Sequence, residues 1–304
     1  MVDICLAGTG GMMPLHNRWL TCCYMEYNGK AILIDCGEGT QIALVEADCK
    51  LSKLETLLIT HFHADHVSGL PGLLLSLGNY SKTTPLKIYG PKGTTDIVNN
   101  LRCICGKLPY EIIITEFPTN EVTEFKVPEI DNDMISVRAF PLRHSVPCLG
   151  YSFVFSRKPV FNPQKAESLG LPKPMWKVLH GGGTVEFEGK TYTTEMVTDG
   201  ERKPVKVTYA TDSRPIDTIA DEAFRADLFI CEGMYGDDEH EQSMKEKGHM
   251  LISDAVRLAE LAEAERLWFT HYSPAMTNPS VYEKQIKKRF PAAVISTDGQ
   301  KITL

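Results

Sequence analysis

Apolar residues along this chain fall in short, nearly continuous runs. Residues 31–35 (Ala-Ile-Leu-Ile-Asp), 56–60 (Thr-Leu-Leu-Ile-Thr), 86–89 and 111–115 read as short strands, several of them buried on both faces. Between them, residues 39–47 and the leucine-rich run after Gly69 carry helical character. Pro71 then belongs in a first helical turn, where its missing N–H has no partner to lose. A second series has comparable order: strands near 135–140, 205–210 and 228–231, a long helix at about 250–264, and strands at 266–270 and 292–296 with a helix near 280–289 between them. Two such halves predict two sheets facing each other with helices outside. The interval 156–206 breaks the pattern. It is rich in proline and glycine, contains the triplet Gly181–Gly183 and has few uninterrupted apolar segments, so it reads as an inserted arm.

With 304 residues the chain can build a large core, and we expect a single domain over 1–304 with the arm at 156–206 inside it. Its 43% hydrophobic and 23% charged residues exclude a largely disordered or fibrous chain. The formal net charge of −7 argues against indiscriminate coating of nucleic acid and leaves a local basic patch open. The arm supplies one: nine Lys or Arg residues, Lys173 and Lys177 among them, against six acids give it a charge of plus 3, opposite in sign to the whole chain. A basic protrusion of this kind can hold phosphates away from a reaction centre. The nine cysteines form neither an even disulfide set nor a repeated CxxC pair, and read as reduced thiols. No basic-then-apolar leader and no apolar run of about 18 residues occurs, which makes a cytoplasmic location the expectation and membrane spanning unsupported.

The chemistry concentrates in Thr60-His61-Phe62-His63-Ala64-Asp65-His66, immediately after an apolar strand and before Gly69. In an extended segment leading into a helix, alternate residues 61 and 63 point the same way, while 65 and 66 turn toward a neighbouring position. Three imidazoles and a carboxylate suit zinc and are compatible with manganese or iron. His144, Asp212 and His271 also follow predicted strands, and strand ends can meet at one rim. The resulting assignment places His61, His63 and His144 on one metal and Asp65, His66 and His271 on the other, with Asp212 bridging. Two metals about 3.5–4 Å apart lower the pKa of a shared water and stabilise charge on attacking and departing oxygens, which favours hydrolysis.

Taken with Leu6–Gly11, Ile34–Gln41, Gly69–Leu73, Thr211–Pro215, Gly248-His249 and Thr270–Ser273, these residues make the chain resemble the metallo-beta-lactamase superfamily. Within it, the chain resembles the short bacterial form of tRNase Z. The resemblance implies a four-layer alpha-beta/beta-alpha sandwich with an inserted arm and two zinc ions. It further implies endonucleolytic removal of the 3′ trailer from precursor tRNA, leaving a 3′ hydroxyl on the tRNA. By motif position Asp65 would orient the attacking hydroxide and His249 would protonate the departing oxygen. Asn17 and Arg18 would meet RNA, and the arm, with Lys173 and Lys177, would hold the tRNA across a homodimer. Departures from the family pattern include Ala64 in place of glycine, Lys173-Pro174 in place of Gly-Pro, and Cys231–Tyr235 in place of His-Glu-Ala-Thr-Phe. A small-molecule phosphodiesterase or arylsulfatase of the same superfamily is the alternative reading.

Overall fold

The computed structural model describes residues 1–131, 134–236, 244 and 247–304, and divides into two compact units, Met1–Val154 with Lys206–Leu304, and Phe155–Val205. In the larger unit the first half supplies β1 (Val2–Gly8), β2 (Cys22–Tyr27), β3 (Lys30–Ile34), β4 (Leu54–Leu58), β5 (Leu86–Pro91) and β6 (Ile112–Phe117). With these strands come helices α1 (Thr40–Glu46), α2 (Ala64–Val67), α3 (Leu70–Asn79) and α4 (Thr94–Leu101). The chain continues through β7 (Thr123–Lys126), α5 (Pro128–Asp131), β8 (Ile135–Arg143) and β9 (Pro147–Arg157).

The smaller unit contains β10 (Val160–Phe161), α6 (Pro163–Ser168), α7 (Lys173–His180), β11 (Val185–Phe187), β12 (Lys190–Tyr192) and β13 (Thr198–Asp199). The larger unit then resumes with β14 (Arg202–Ala210), α8 (Asp217–Glu222), β15 (Leu228–Glu232), α9 (Ile252–Leu261) and β16 (Leu267–Thr270). It ends with α10 (Glu283–Arg289), β17 (Ala293–Ile295) and β18 (Gln300–Thr303).

Two seven-stranded sheets result, in the orders β18-β1-β2-β3-β4-β5-β6 and β17-β16-β15-β14-β9-β8-β7. The strands β3 to β6 are parallel, as are β14 to β17. Strands buried on both faces need apolar residues at successive positions, which is why these runs lack alternation. On one face of the first sheet, Ala31, Leu33, Leu57 and Ile88 pack with Leu44 of α1 and Leu70, Leu73, Leu74 and Leu77 of α3. Ile32, Ile34 and Leu58 are equally buried and alternate to the other face. The second sheet is covered in the same way by α8, α9 and α10, through Ile219, Ala255, Val256, Leu258 and Ile286. Its fully buried Tyr151 donates its hydroxyl to the carbonyl of Ile59 at 2.6 Å, tying the two sheets together. This is the alpha-beta/beta-alpha sandwich. The predicted strands and helices occur within a few residues of their expected places. The strands not foreseen include β18, whose alternating half-exposed residues make no apolar run, and β9, which Gly150 and Ser152 interrupt.

The smaller unit has its own core of Ala166, Leu171, Leu179 and Val197, with Phe161, Met175 and Trp176 packed against it. Asn162 caps α6 by accepting from the backbone N–H groups of Gln164 and Lys165, and Pro163 occupies the first turn. Among the described residues, no helix is long and apolar enough to cross a membrane.

Candidate metal centre and catalytic cleft

The carboxyl ends of β3, β4, β8, β14, β15 and β16 bring polar residues to one rim of the sandwich. β4 runs into His61 and His63, and α2 turns Asp65 and His66 back beside them; His144, Asp212 and His271 follow β8, β14 and β16. Asp35, Asp212 and His271 have left-handed backbone, with φ of 63°, 56° and 56°. Such positions cost a non-glycine residue about 1–3 kcal/mol each, and persist where the surroundings over-determine them. Close loop packing helps to do so. A Cβ on Gly69 would stand 1.8 Å from the Gly37 carbonyl oxygen, and one on Gly11 would stand 2.7 Å from the His271 ring.

Donor atoms of His61, His63, His144 and Asp212 lie within 4.8 Å of one another, as do those of Asp65, His66 and His271. In the first group Nε2 of His144 is 3.2 Å from Nδ1 of His63; in the second, Nε2 of His66 is 3.2 Å from Nε2 of His271. Asp212 faces both. Its Oδ2 is 3.8 Å from Nε2 of His61 and of His144, and its Oδ1 is 3.3 Å from Nε2 of His66 and of His271. Ligands at about 2.0–2.1 Å from one tetrahedral zinc stand about 3.3 Å apart, which the 3.2 and 3.3 Å spacings match, the two of 3.8 Å being longer. Buried His61 Nε2 and Asp212 Oδ1 have no hydrogen-bond partner, the condition a bound cation relieves. The residues therefore fit two divalent cations, and the site is that of a dinuclear metal-dependent hydrolase.

A second layer fixes the rings. His66 Nδ1 is 2.8 Å from Oδ2 of Asp35, whose Oδ1 accepts the Thr60 backbone N–H at 2.8 Å. His144 Nδ1 donates to the Gly248 carbonyl at 3.0 Å, and Asp65 Oδ2 accepts the Met12 backbone N–H at 2.7 Å. Partners of this kind set the tautomer and aim the other ring nitrogen into the cleft. Glu232 does the same for His249, standing 3.0 Å from its Nδ1 while its other oxygen accepts the Ser213 N–H at 2.6 Å. Sequence reasoning missed Asp35 and Glu232 as functional residues. Both are acids at the end of an apolar strand, the same signal that singled out Asp212.

The local fields are strong. Burial pushes the imidazoles of His61 and His144 down, toward the neutral form that ligates. Burial also acts to lower His66, but the charges of Asp212 and Asp35 outweigh it and raise that group. Burial would raise Asp65, yet the hydrogen bond from His271 and the charge of His66 hold its carboxyl well below the usual range. For His249 burial is overcome by the charge and hydrogen bond of Glu232, with Asp212 and Asp65 adding to them, and its pKa is pushed up to about 9. His249 also lies within donor distance of Asp212 and His271. Glu232 holds Nδ1 of His249 and favours its imidazolium.

These groups surround a cleft of about 300 Å³ lined by Met12, His63, Asp65, His144, Ser145, Asp212, Lys247, His249 and His271. The other expected contacts lie elsewhere. Asn17 is exposed and left-handed at φ 62°. Arg18 is half-buried: its guanidinium donates to the carbonyls of Met276 at 2.8 Å and Thr277 at 3.1 Å and lies 5.7 Å from the Tyr272 ring centre. It braces the loop after His271. Lys173 and Lys177 are exposed on α7 of the smaller unit.

Known proteins share this architecture. Over its full length the chain is 44% identical to the ribonuclease Z of Lachnospira eligens and 46% identical to that of Agathobacter rectalis, covering 98% of each. The chain belongs to the ribonuclease Z family. Residues 175–272 match the family model for a beta-lactamase superfamily domain, and residues 2–166 match that of the anti-Pycsar protein Apyc1. Among solved structures, the short form of human tRNase Z superposes with a TM-score of 0.70 at 24% identity, covering 99% of this chain and 98% of that one. Ribonuclease Z membership and the paired donor groups around Asp212 thus describe the same metal-dependent nuclease site.

Proposed function

We infer that this chain is a zinc-dependent endonuclease that removes the 3′ trailer from precursor tRNA and leaves a 3′ hydroxyl on the tRNA. The single observation carrying this reading is the pair of donor groups facing the two oxygens of Asp212, beside a cleft that also presents His249. Two bound divalent cations supply Lewis acidity, a nucleophile at neutral pH and a clamp for phosphate charge.

The chain's own residues supply the rest. Asp65, fixed by the Met12 N–H and kept ionised, accepts a hydrogen bond from the attacking water and orients it. His249, oriented by Glu232, carries the proton that the departing 3′ oxygen needs when the phosphorus–oxygen bond breaks. Lys247 at the cleft mouth offers a positive charge to the phosphate. Asn17 lies exposed in the early loop for RNA contact, while Arg18 shapes the neighbouring loop through Met276 and Thr277. Residues 155–205, with Lys173 and Lys177, hold the tRNA body, and a homodimer working in the cytoplasm completes the reading.

The test is cleavage of end-labelled precursor tRNA and of an equally long unstructured RNA by the zinc-loaded protein, with product ends mapped at nucleotide resolution. One cut at the tRNA 3′ boundary, leaving a 3′ hydroxyl and confined to the folded precursor, is the expected result. Turnover of a small phosphodiester with both RNAs left intact would replace this reading with the small-molecule phosphodiesterase.

A further inference from the structure

A second cavity, of about 380 Å³, lies away from the metal centre against the helix-covered face of the first sheet. Its walls include two sulfurs, Cys5 and Cys49, together with Tyr24, Lys50 and Lys301. Cys5 lies on β1 directly opposite Lys301 of β18 and Tyr24 of β2. Residues directly opposite in an antiparallel pair share a face with Cβ atoms about 4.5–5.5 Å apart, so the Lys301 side chain emerges beside the Cys5 sulfur. Cys49 reaches the same place from the turn after α1, where its N–H bonds to the carbonyl of Leu44 at 2.8 Å. Both thiols line this one cavity and belong to the same buried cluster.

Cys5 differs from the other buried cysteines. Burial pushes the thiols of Cys22, Cys23, Cys36, Cys148 and Cys231 up, which makes them unreactive at neutral pH. Cys5 moves the other way: its neighbour Cys49, itself raised, lowers it against the opposing effect of burial, and the ammonium of Lys301, opposite it in the strand pair, adds to the lowering. A thiol set opposite a lysine and sharing a cavity with a second thiol has the make-up of a redox-active dithiol. The nuclease chemistry uses neither residue.

We propose that Cys5 and Cys49 form a peroxide-responsive dithiol, with Cys5 as the attacking thiolate and Cys49 as the resolving thiol. The Cys5 sulfur attacks one oxygen of hydrogen peroxide, the oxygen–oxygen bond breaks, and the departing hydroxide takes a proton to become water. The Cys49 sulfur then attacks the resulting sulfenic acid at Cys5. A sulfur–sulfur bond forms, the sulfur–oxygen bond breaks, and hydroxide leaves with the Cys49 proton as a second water. Two thiols lose two electrons and two protons, and one peroxide is reduced to two waters. A dithiol reductant reverses the bridge by exchange.

The experiment titrates the intact zinc-loaded protein with hydrogen peroxide, blocks remaining thiols with an alkylating agent and maps the peptides. The exposed thiol of Cys103 is the internal reference. A peptide cross-linking Cys5 to Cys49, formed at or below the dose that oxidises Cys103 and removed by dithiothreitol, is the expected result. Cys5 and Cys49 still free to alkylate when Cys103 is fully oxidised, or Cys5 joined to Cys22 or Cys23 instead, would overturn it. In Cys49→Ser a sulfenic-acid probe should label Cys5. In Lys301→Ala, on an exposed edge strand and safe for folding, cross-linking should slow about threefold or more; an unchanged rate would remove Lys301 from the site. Should Cys49→Ser not fold, the wild-type map decides alone.

Discussion

The cleft and the arm solve different problems with different parts of the chain. The cleft gathers residues from Met12 to His271, and its central groups are sealed: His61, His66, Asp212 and His271 are at most 2% exposed. Each ring nitrogen that faces away from the cleft in His66, His144 and His249 meets a carboxylate or carbonyl behind it. The arm is one contiguous stretch around four buried side chains, and its two expected RNA-facing lysines stand on an exposed helix face. Chemistry that depends on fixed distances is built where two large cores can hold it, whereas the substrate capture proposed for the arm would need only a small local core. The arm should therefore open or be altered without disturbing the cleft.

The sharpest way to break that contrast is at the shared carboxylate. Asp212→Asn keeps the side-chain shape and tolerates the left-handed backbone, but removes the charge that both donor groups face. Metal content should fall below two ions per chain, and single-turnover cleavage of a labelled precursor should drop by about 10³-fold or more. A variant that keeps both ions and near-normal cleavage would remove Asp212 from the bridging position.

Support behind the metals comes next in size. Asp35→Ala leaves His66 Nδ1 and the Thr60 N–H without their buried partner, so metal affinity should weaken about 10–100-fold. Stability should fall by about 1–3 kcal/mol for the unpaired groups. Competition against a zinc chelator and urea denaturation read the two effects separately, and unchanged affinity in the chelator assay would reduce Asp35 to a structural residue.

The same contrast explains what the sequence made legible. His61 to His66 stood out because four ligand-type residues crowd one strand end, and His144, Asp212 and His271 followed from the rule that strand ends meet. Asp35 and Glu232 obey that rule too, but each is a lone acid whose role appears only when a particular imidazole lies 2.8 or 3.0 Å away. Arg18 carries a second task that a cation in a loop does not announce: only three-dimensional proximity reveals that the carbonyls of Met276 and Thr277 accept from its guanidinium. The arm's core was hidden because Ala166, Leu171, Leu179 and Val197 are scattered among prolines, glycines and lysines, with no run long enough to carry a period.

In the arm, Leu179→Ala removes a fully buried side chain from that small core, at a cost of about 2–5 kcal/mol. Amide exchange should accelerate across residues 155–205 while β3 and β4 keep their protection. If the arm serves capture alone, as proposed, KM for folded precursor should rise about tenfold or more, with turnover of a small phosphodiester unchanged. Equal losses on both substrates would show that the arm and the cleft fold as one.

The smallest effect is a matter of pH. Asp199 of β13 accepts from Asn162 Nδ2 at 2.8 Å and pairs with Lys165 Nζ at 2.9 Å, closing β13 onto the start of α6. The hydrogen bond from Asn162, then that from Lys165, holds its carboxyl below the ordinary aspartate value. A group lowered in the folded state stabilises it fully above the unfolded value, near 3.9, and loses that contribution as pH falls through the lower folded one. Acidification from about pH 5 toward 3 should therefore speed amide exchange in the arm relative to the same span in Asp199→Asn, where the carboxylate is absent at every pH. Exposure and salt screen this pair, so the difference should be slight and should shrink further at high ionic strength. Identical pH responses in the two proteins would mean that the four-residue core alone holds the arm, and that its polar closure only decorates it.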